Sequence, residues 1–279
     1  MTDTTDILPP SRRTEFLAAP DLEAQLQRSI AQGALANGWL ITGPEGIGKA
    51  TLAYRLARGL LHDGGKTLDP PADARASALI AARAHPDLFV AERRYDEKKE
   101  RQAAEISVDT ARDLIHFLNH TASMGGWRVA IVDTADDLNR NSANALLKAL
   151  EEPPPRTALF VLSAAPGRLL PTIRSRCRRL ALRPYADETV TAFLQREGAA
   201  RGPEAAKIAA AAEGRPGFAL RLALGDGPEA VDAVEAFVAA RDATGVAQRL
   251  APKSADGVWP IFQELLLRRI DRAARDLAL

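Results

Sequence analysis

The run Gly43-Pro44-Glu45-Gly46-Ile47-Gly48-Lys49 constrains this chain more than any other segment. It has the spacing G-x-x-x-x-G-K and follows a short apolar run, Gly38-Trp39-Leu40-Ile41. After it, Lys49 to Leu61 carries Leu52, Ala53, Leu56, Ala57 and Leu60 at helical spacing. A strand that enters a glycine-rich turn and leaves as a helix is the setting of a phosphate loop. There the backbone amides and helix N-terminus cradle phosphates while the lysine reaches the outer ones. Gly43, Gly46, Gly48 and Lys49 are therefore the candidate nucleotide-binding residues.

The rest of the first 183 residues repeats the alternation of strand and helix. A helix is predicted from Leu22 to Gly33, with Asp21 as cap, and another from Ala76 to Ala84. Leu88-Phe89-Val90, Val129 to Val132, Leu159 to Leu162 and Arg179 to Leu182 read as further strands. Ser107 is placed to cap a helix carrying Val108, Ala111, Ile115 and Leu118. Asn139 to Glu151 is a strong helical pattern closed by Pro153-Pro154-Pro155. Such alternation predicts an α/β fold with a mostly parallel, five-stranded sheet covered on both faces. The charge-dense stretch Glu92 to Arg101 is read as a solvated loop. From Pro184 onward the patterns are helical, interrupted at Gly198, Gly202, Gly214 to Gly217 and Gly225 to Gly227. The expected organisation is a core domain at 1–183, a small helical domain at 184–227 and a final helical segment at 228–279.

Composition excludes several classes of function. The 37 Lys+Arg and 36 Asp+Glu of the 279 residues leave a net charge of +1, so the chain is no general polyanion binder. Its one cysteine, Cys177, allows neither an internal disulfide nor a thiolate zinc cluster, and fits a reducing compartment. His116 and His120 stand at i and i+4, but no carboxylate lies in a metalloprotease position between them, so no metal site is expected. The polar N-terminus, MTDTTDILPP, lacks the basic and apolar parts of a signal peptide, and no stretch approaches the ~20 apolar residues of a membrane helix. A cytoplasmic protein is expected.

The phosphate loop is followed by two chemical deficits. A working loop places Ser or Thr after the lysine, where the hydroxyl ligates magnesium, and here that residue is Ala50. Thr51 lies one residue too late, rotated roughly 100° around the helix. The apolar run Arg128 to Val132 ends in Asp133, the position of a Walker B aspartate. Many such ATPases follow that aspartate with a glutamate that polarises the attacking water, and here Thr134 stands there. General-base assistance is worth about 10²–10⁴ in rate. Both deficits argue against ATP hydrolysis by this chain.

Three motifs carry a family resemblance. Asp133-Thr134-Ala135-Asp136-Asp137-Leu138-Asn139 leads into Ser142 to Pro154 (SANALLKALEEPP), and Leu170 to Cys177 contains Ser175-Arg176-Cys177. With Gly43 to Lys49 they lie in the order found in the bacterial clamp-loader branch of the AAA+ superfamily, which the chain resembles across its whole first domain. The resemblance implies a five-stranded parallel AAA+ core, a helical lid and a helical collar that joins a ring of subunits. It also implies a role in DNA replication, where the clamp loader of DNA polymerase III, a nucleotidyltransferase complex, uses ATP to place a sliding clamp on primed DNA. With its deficient site the chain is similar to the stator kind of subunit, which has no independent catalytic activity. Arg176 would then be an arginine finger lent in trans to a neighbouring motor subunit, an effect worth roughly 10³–10⁵ in rate. The implied partners are the tau/gamma ATPase subunits and the delta subunit, with the clamp and primed DNA met through the complex and no membrane. ATP or ADP is compatible with the loop but not required.

The chain departs from the family at several points. Residues 62–86 contain none of the four cysteines of the small zinc module that clamp-loader subunits often carry, so no zinc is expected. Gly217 stands where motor subunits usually have the arginine of the second nucleotide sensor, and Arg215 is offset from that place. Ser163 offers one hydroxyl for the first sensor. The collar is expected to be reduced, or the chain truncated within it. An active motor subunit would need an oxygen at Ala50 and a carboxylate at Thr134, and a stand-alone phosphate-loop NTPase would leave Ser175-Arg176-Cys177 unexplained. Arg140 and Lys148 are basic, but ordinary surface charge explains them equally well, and no residue is assigned to DNA.

Overall fold

A computed structural model describes residues 7–17, 26, 29, 38–96, 100–240 and 257–277. The predicted helix at 22–33 lies outside the described residues except for Leu26 and Ser29. The chain gathers into two compact units that divide at Arg183/Pro184, with Glu45–Ile47 counted in the second.

The first unit is built on β1 (Gly38–Thr42), α1 (Lys49–Asp63), α2 (Arg75–Ala81) and β2 (Leu88–Ala91). After the short pair β3 (Tyr95–Asp96) and β4 (Arg101–Gln102) come α3 (Val108–Asn119), β5 (Arg128–Val132) and α4 (Arg140–Glu151). It ends with β6 (Thr157–Ser163), α5 (Pro171–Arg176) and β7 (Arg178–Ala181). Five strands form one parallel sheet in the order β2-β5-β6-β1-β7, as the alternating pattern predicted. Every residue of β1, β5 and β6 is buried, which is why these strands read as apolar runs and not as alternating ones.

Side-chain alternation divides the sheet between two helical layers. Leu40, Ala130, Val132, Leu159 and Val161 share a cluster with Ala111, Leu114 and Leu118 of α3, Ala143 and Leu146 of α4, and Ile173 of α5. Their strand neighbours Trp39, Ile41, Val129, Ile131, Phe160 and Leu162 are equally buried and point to the opposite face. At Gly38 a Cβ would lie 2.6 Å from Leu150 Cδ2, so a side chain there would make the end of Leu150 shift.

Local signals set the helix starts. Ser107 Oγ accepts the Thr110 amide at 3.1 Å, capping α3 as expected. Asn139 Oδ1 accepts the amides of Asn141 and Ser142 at 3.1 and 2.9 Å, so Asn139 is the cap of α4 and not its first residue. The connection after α1 is tied back by a buried arginine, since Arg55 Nε donates to Asp69 Oδ1 at 2.6 Å. Asp87, buried at the entrance to β2, accepts the amides of Ser123 and Met124 at 2.6 and 2.9 Å and so fixes the loop that leads into β5.

One expectation for this unit is overturned. Glu92 to Arg101 is not a plain loop: β3 and β4 pair antiparallel, with Tyr95 opposite Gln102 and Asp96 opposite Arg101. Mixed charge allows this, because Arg94 pairs with Asp113 and Arg93 with Asp137, which anchors the base of the hairpin. Among its described residues the exposed ones are polar apart from Tyr95.

The second unit consists of helices: α6 (Asp187–Arg196), α7 (Gly202–Ala212), α8 (Pro216–Ala223), α9 (Gly227–Ala240) and α10 (Val258–Leu277). The predicted interruptions fall at their ends, with Gly202 and Gly227 opening α7 and α9 and Gly198 following α6. Apolar packing joins α6 to α7 and α8, and α9 to α10, where Phe237 and Phe262 meet edge to face at 6.1 Å. Among the described residues no helix is long and apolar enough to cross a membrane.

Candidate functional site

The phosphate loop leaves β1 at Thr42, where the Gly43 amide bonds the Ser163 carbonyl at the end of β6. Gly43, Gly46 and Gly48 take φ values of 148°, 78° and 106°, a region that favours glycine. Gly48 in particular is the residue before α1, so the helix begins at Lys49 with its first amides unpaired by any side-chain cap. Such an end attracts anions. Lys49 Nζ donates to the carbonyls of Gly43 and Pro44 at 2.8 and 3.0 Å, folded onto the loop that it would leave to meet a phosphate.

Asp133 stands in the same electrostatic neighbourhood. Burial raises its carboxyl above the ordinary aspartate range, Glu92 adds to the rise, and Lys49 with two hydrogen bonds from Thr134 opposes it. Thr134 adopts φ 59° and ψ 61°, a left-handed conformation that costs a β-branched residue about 1–3 kcal/mol. That conformation lets both its amide and its hydroxyl serve Asp133. The residue in the general-base position is thereby a donor to the aspartate and offers no carboxylate.

Ala50, second residue of α1, supplies no oxygen, and the carboxylate of Asp133 already accepts two hydrogen bonds. Ser163, buried at the end of β6, gives its hydroxyl to Asp136 at 2.6 Å. Asp136 also accepts the amides of Ala164 and Ala165 at 2.6 and 3.3 Å. Sequence reasoning singled out Ser163 and passed over Asp136, whose partners lie 27 to 29 residues away. Arg215, offset in sequence from the second-sensor place, is held by its own surroundings. It is buried, its Nε donates to the Ala212 carbonyl at 2.8 Å, and its guanidinium lies 4.4 Å from the centre of the Phe218 ring.

Arg176 is the last residue of α5 and is engaged elsewhere. One guanidinium nitrogen, Nη2, pairs with Glu151 Oε1 at 2.6 Å, and Nη1 donates to the Thr172 carbonyl at 3.2 Å. About a third of the side chain remains exposed. Its neighbour Cys177 is buried, which pushes the thiol up to about 11. His120 Nδ1 lies 2.6 Å from the His116 carbonyl, and among the described residues no three His, Cys, Asp or Glu side chains are grouped to hold a metal ion. Arg140 and Lys148 are both exposed on α4.

A family model described as DNA polymerase III, delta subunit, matches residues 18–186. DNA polymerase III subunit delta' of Pseudomonas aeruginosa is 44% identical over 142 residues, which cover 51% of this chain and 42% of that one. The delta' subunit of Escherichia coli is 35% identical over 207 residues, covering 74% and 60%. Subunit tau of Escherichia coli is 29% identical over 259 residues, covering 88% of this chain and 39% of its own length. The chain thus spans less than two thirds of each of these relatives.

Proposed function

We propose that this chain, which belongs to the DNA polymerase III delta-subunit family, serves the clamp loader as a stator that helps place the sliding clamp on primed DNA. Its relatives include delta' and tau subunits, which supports a place among the tau/gamma and delta subunits of one ring. On this reading the helices beyond Pro184 comprise a lid at 184–227 and a collar at 228–279.

One observation carries the assignment: the site lacks an oxygen at Ala50 in α1 and a carboxylate at Thr134 after β5, while Arg176 closes α5 with about a third of its side chain exposed. A bound ATP or ADP would rest its phosphates on the amides at the start of α1 and on Lys49, and would supply occupancy of the loop but no reaction. The chain's own turnover is absent because neither a metal ligand nor a general base is present at those two positions. Arg176 extends to the triphosphate of a neighbouring subunit, where a planar guanidinium neutralises charge that develops on the transferring phosphoryl group. A tau-like motor role is disfavoured by the same two residues.

The test is DNA-stimulated ATPase of a loader reconstituted with the full chain. Arg176→Ala is expected to lower turnover at the neighbouring site by up to roughly 10³-fold or more, while Lys49→Ala changes it little and assembly is unaltered. A neutral Arg176→Ala removes the finger. Turnover by the isolated chain that Lys49→Ala abolishes would overturn the reading of Ala50 and Thr134.

A further inference from the structure

We propose that Glu151 is a positioning residue that parks the Arg176 guanidinium and gives it up when the phosphates of a neighbouring subunit's nucleotide arrive. The proposal rests on the reading of Arg176 as a finger in trans.

The two residues come from different helices. Glu151 is the last residue of α4 and Arg176 the last of α5. A carboxylate at a helix C-terminus faces the negative end of the helix dipole, so α4 gains nothing from Glu151 by itself. The cation across from it supplies the compensation, with Nη2 at 2.6 Å from Oε1. The second tether, Nη1 to the Thr172 carbonyl at 3.2 Å, comes from one turn back in α5 and fixes the plane of the fork. Two separate nitrogens are thus held while the side chain stays about one third exposed.

The strength of the hold is suited to release. Glu151 is 45% exposed, and an ion pair at such a surface shifts an equilibrium by about 1.4- to 5-fold (about 0.2–1 kcal/mol at 1.36 kcal/mol per tenfold). A finger on a transferring phosphoryl group is worth roughly 10³–10⁵ in rate. The carboxylate is therefore a weak competitor for the same donors, outbid whenever the phosphates are in reach. Because it opposes ground-state engagement and not the chemical step, its removal shows in the ATP concentration dependence and in turnover without DNA, and leaves the stimulated maximum unchanged.

A loader reconstituted with the full chain carrying Glu151→Gln, Arg176→Ala or both tests this, with assembly checked by gel filtration. Glu151→Gln is expected to lower the neighbour's KM for ATP, or raise DNA-free turnover, by about 1.4- to 5-fold at unchanged stimulated kcat. The gain should vanish when Arg176→Ala is also present. Glu151→Asp, which shortens the carboxylate by one methylene, should fall between, and is read by the same criteria if the Gln variant does not assemble. The proposal is overturned by a Glu151→Gln loader that behaves as native, by one that turns over more slowly, or by the same gain in the Arg176→Ala background. If Arg176→Ala alone is neutral, the finger reading fails and the parking role falls with it. If Arg176→Ala is costly and Glu151→Gln is neutral, the parking role alone fails.

Discussion

Replacing Asp136 by alanine should destabilise the sheet unit by about 2–4 kcal/mol. The carboxylate accepts three donors, Ser163 Oγ and the amides of Ala164 and Ala165, and so joins the turn after β5 to the end of β6. Ser163 is fully buried, so its hydroxyl would lose its partner where water does not replace it, a penalty of about 1–3 kcal/mol. Ala164 is exposed and its amide finds water, so only the net value of a solvent-exposed hydrogen bond, about 1 kcal/mol, is lost there. At about 2–4 °C per kcal/mol for a domain of this size, the unit's Tm should fall by about 4–16 °C in calorimetry of the full chain. Ser163→Ala added to Asp136→Ala should recover part of the loss, because it removes the stranded hydroxyl. A coupling of about 1–2 kcal/mol is expected between the two. An Asp136→Ala variant within about 0.5 kcal/mol of the native chain, or losses at the two positions that simply add, would refute the reasoning.

Two further outcomes follow from buried titratable groups. The carboxyl of Asp133 is raised in the folded chain, chiefly by burial, so folding favours its protonated form. Native stability therefore falls as pH climbs from the ordinary aspartate value through the raised one. Asp133→Asn should be more stable than native at neutral pH, with the gain shrinking as pH falls from the raised value toward 3.8 and gone below it in urea titrations, and a pH-independent difference would contradict the assignment. The Cys177 thiol, moved from 9.0 to about 11, has roughly 10²-fold less thiolate near neutral pH than an ordinary one. Alkylation should accordingly be slower by at least that factor in native chain than in urea, and equal rates would place the thiol in water.

The sheet and its loop were legible because their signals are local. An apolar run, three glycines and a lysine determine how β1 passes into α1, and the polar residues Ser107 and Asn139 mark helix starts within one turn of their effect. Charge misled where its partners were distant. The stretch from Glu92 to Arg101 reads as solvated loop until Arg94 finds Asp113 and Arg93 finds Asp137, contacts that composition does not reveal. Arg215 reads only as a cation offset from the second-sensor place, and its burial against Phe218 shows in the structure alone. At the candidate site, Ala50 and Thr134 could be judged from side-chain chemistry alone. The left-handed backbone of Thr134 could not, and neither could the pairing of Arg176 with Glu151, 25 residues earlier in the chain.

The strand order leaves β7 at one edge of the sheet, with Arg178, Arg179 and Ala181 exposed and Leu180 buried. Arg178 lies over the Trp39 ring, 5.0 Å from its centre, and donates to Ser29 Oγ at 3.1 Å. A border strand of four residues that carries full positive charge at consecutive positions is a poor template for another strand, because an incoming backbone would have to strip water from those guanidinium groups. This edge of the sheet is therefore guarded against growth by strand addition, whereas the opposite edge is formed by β2.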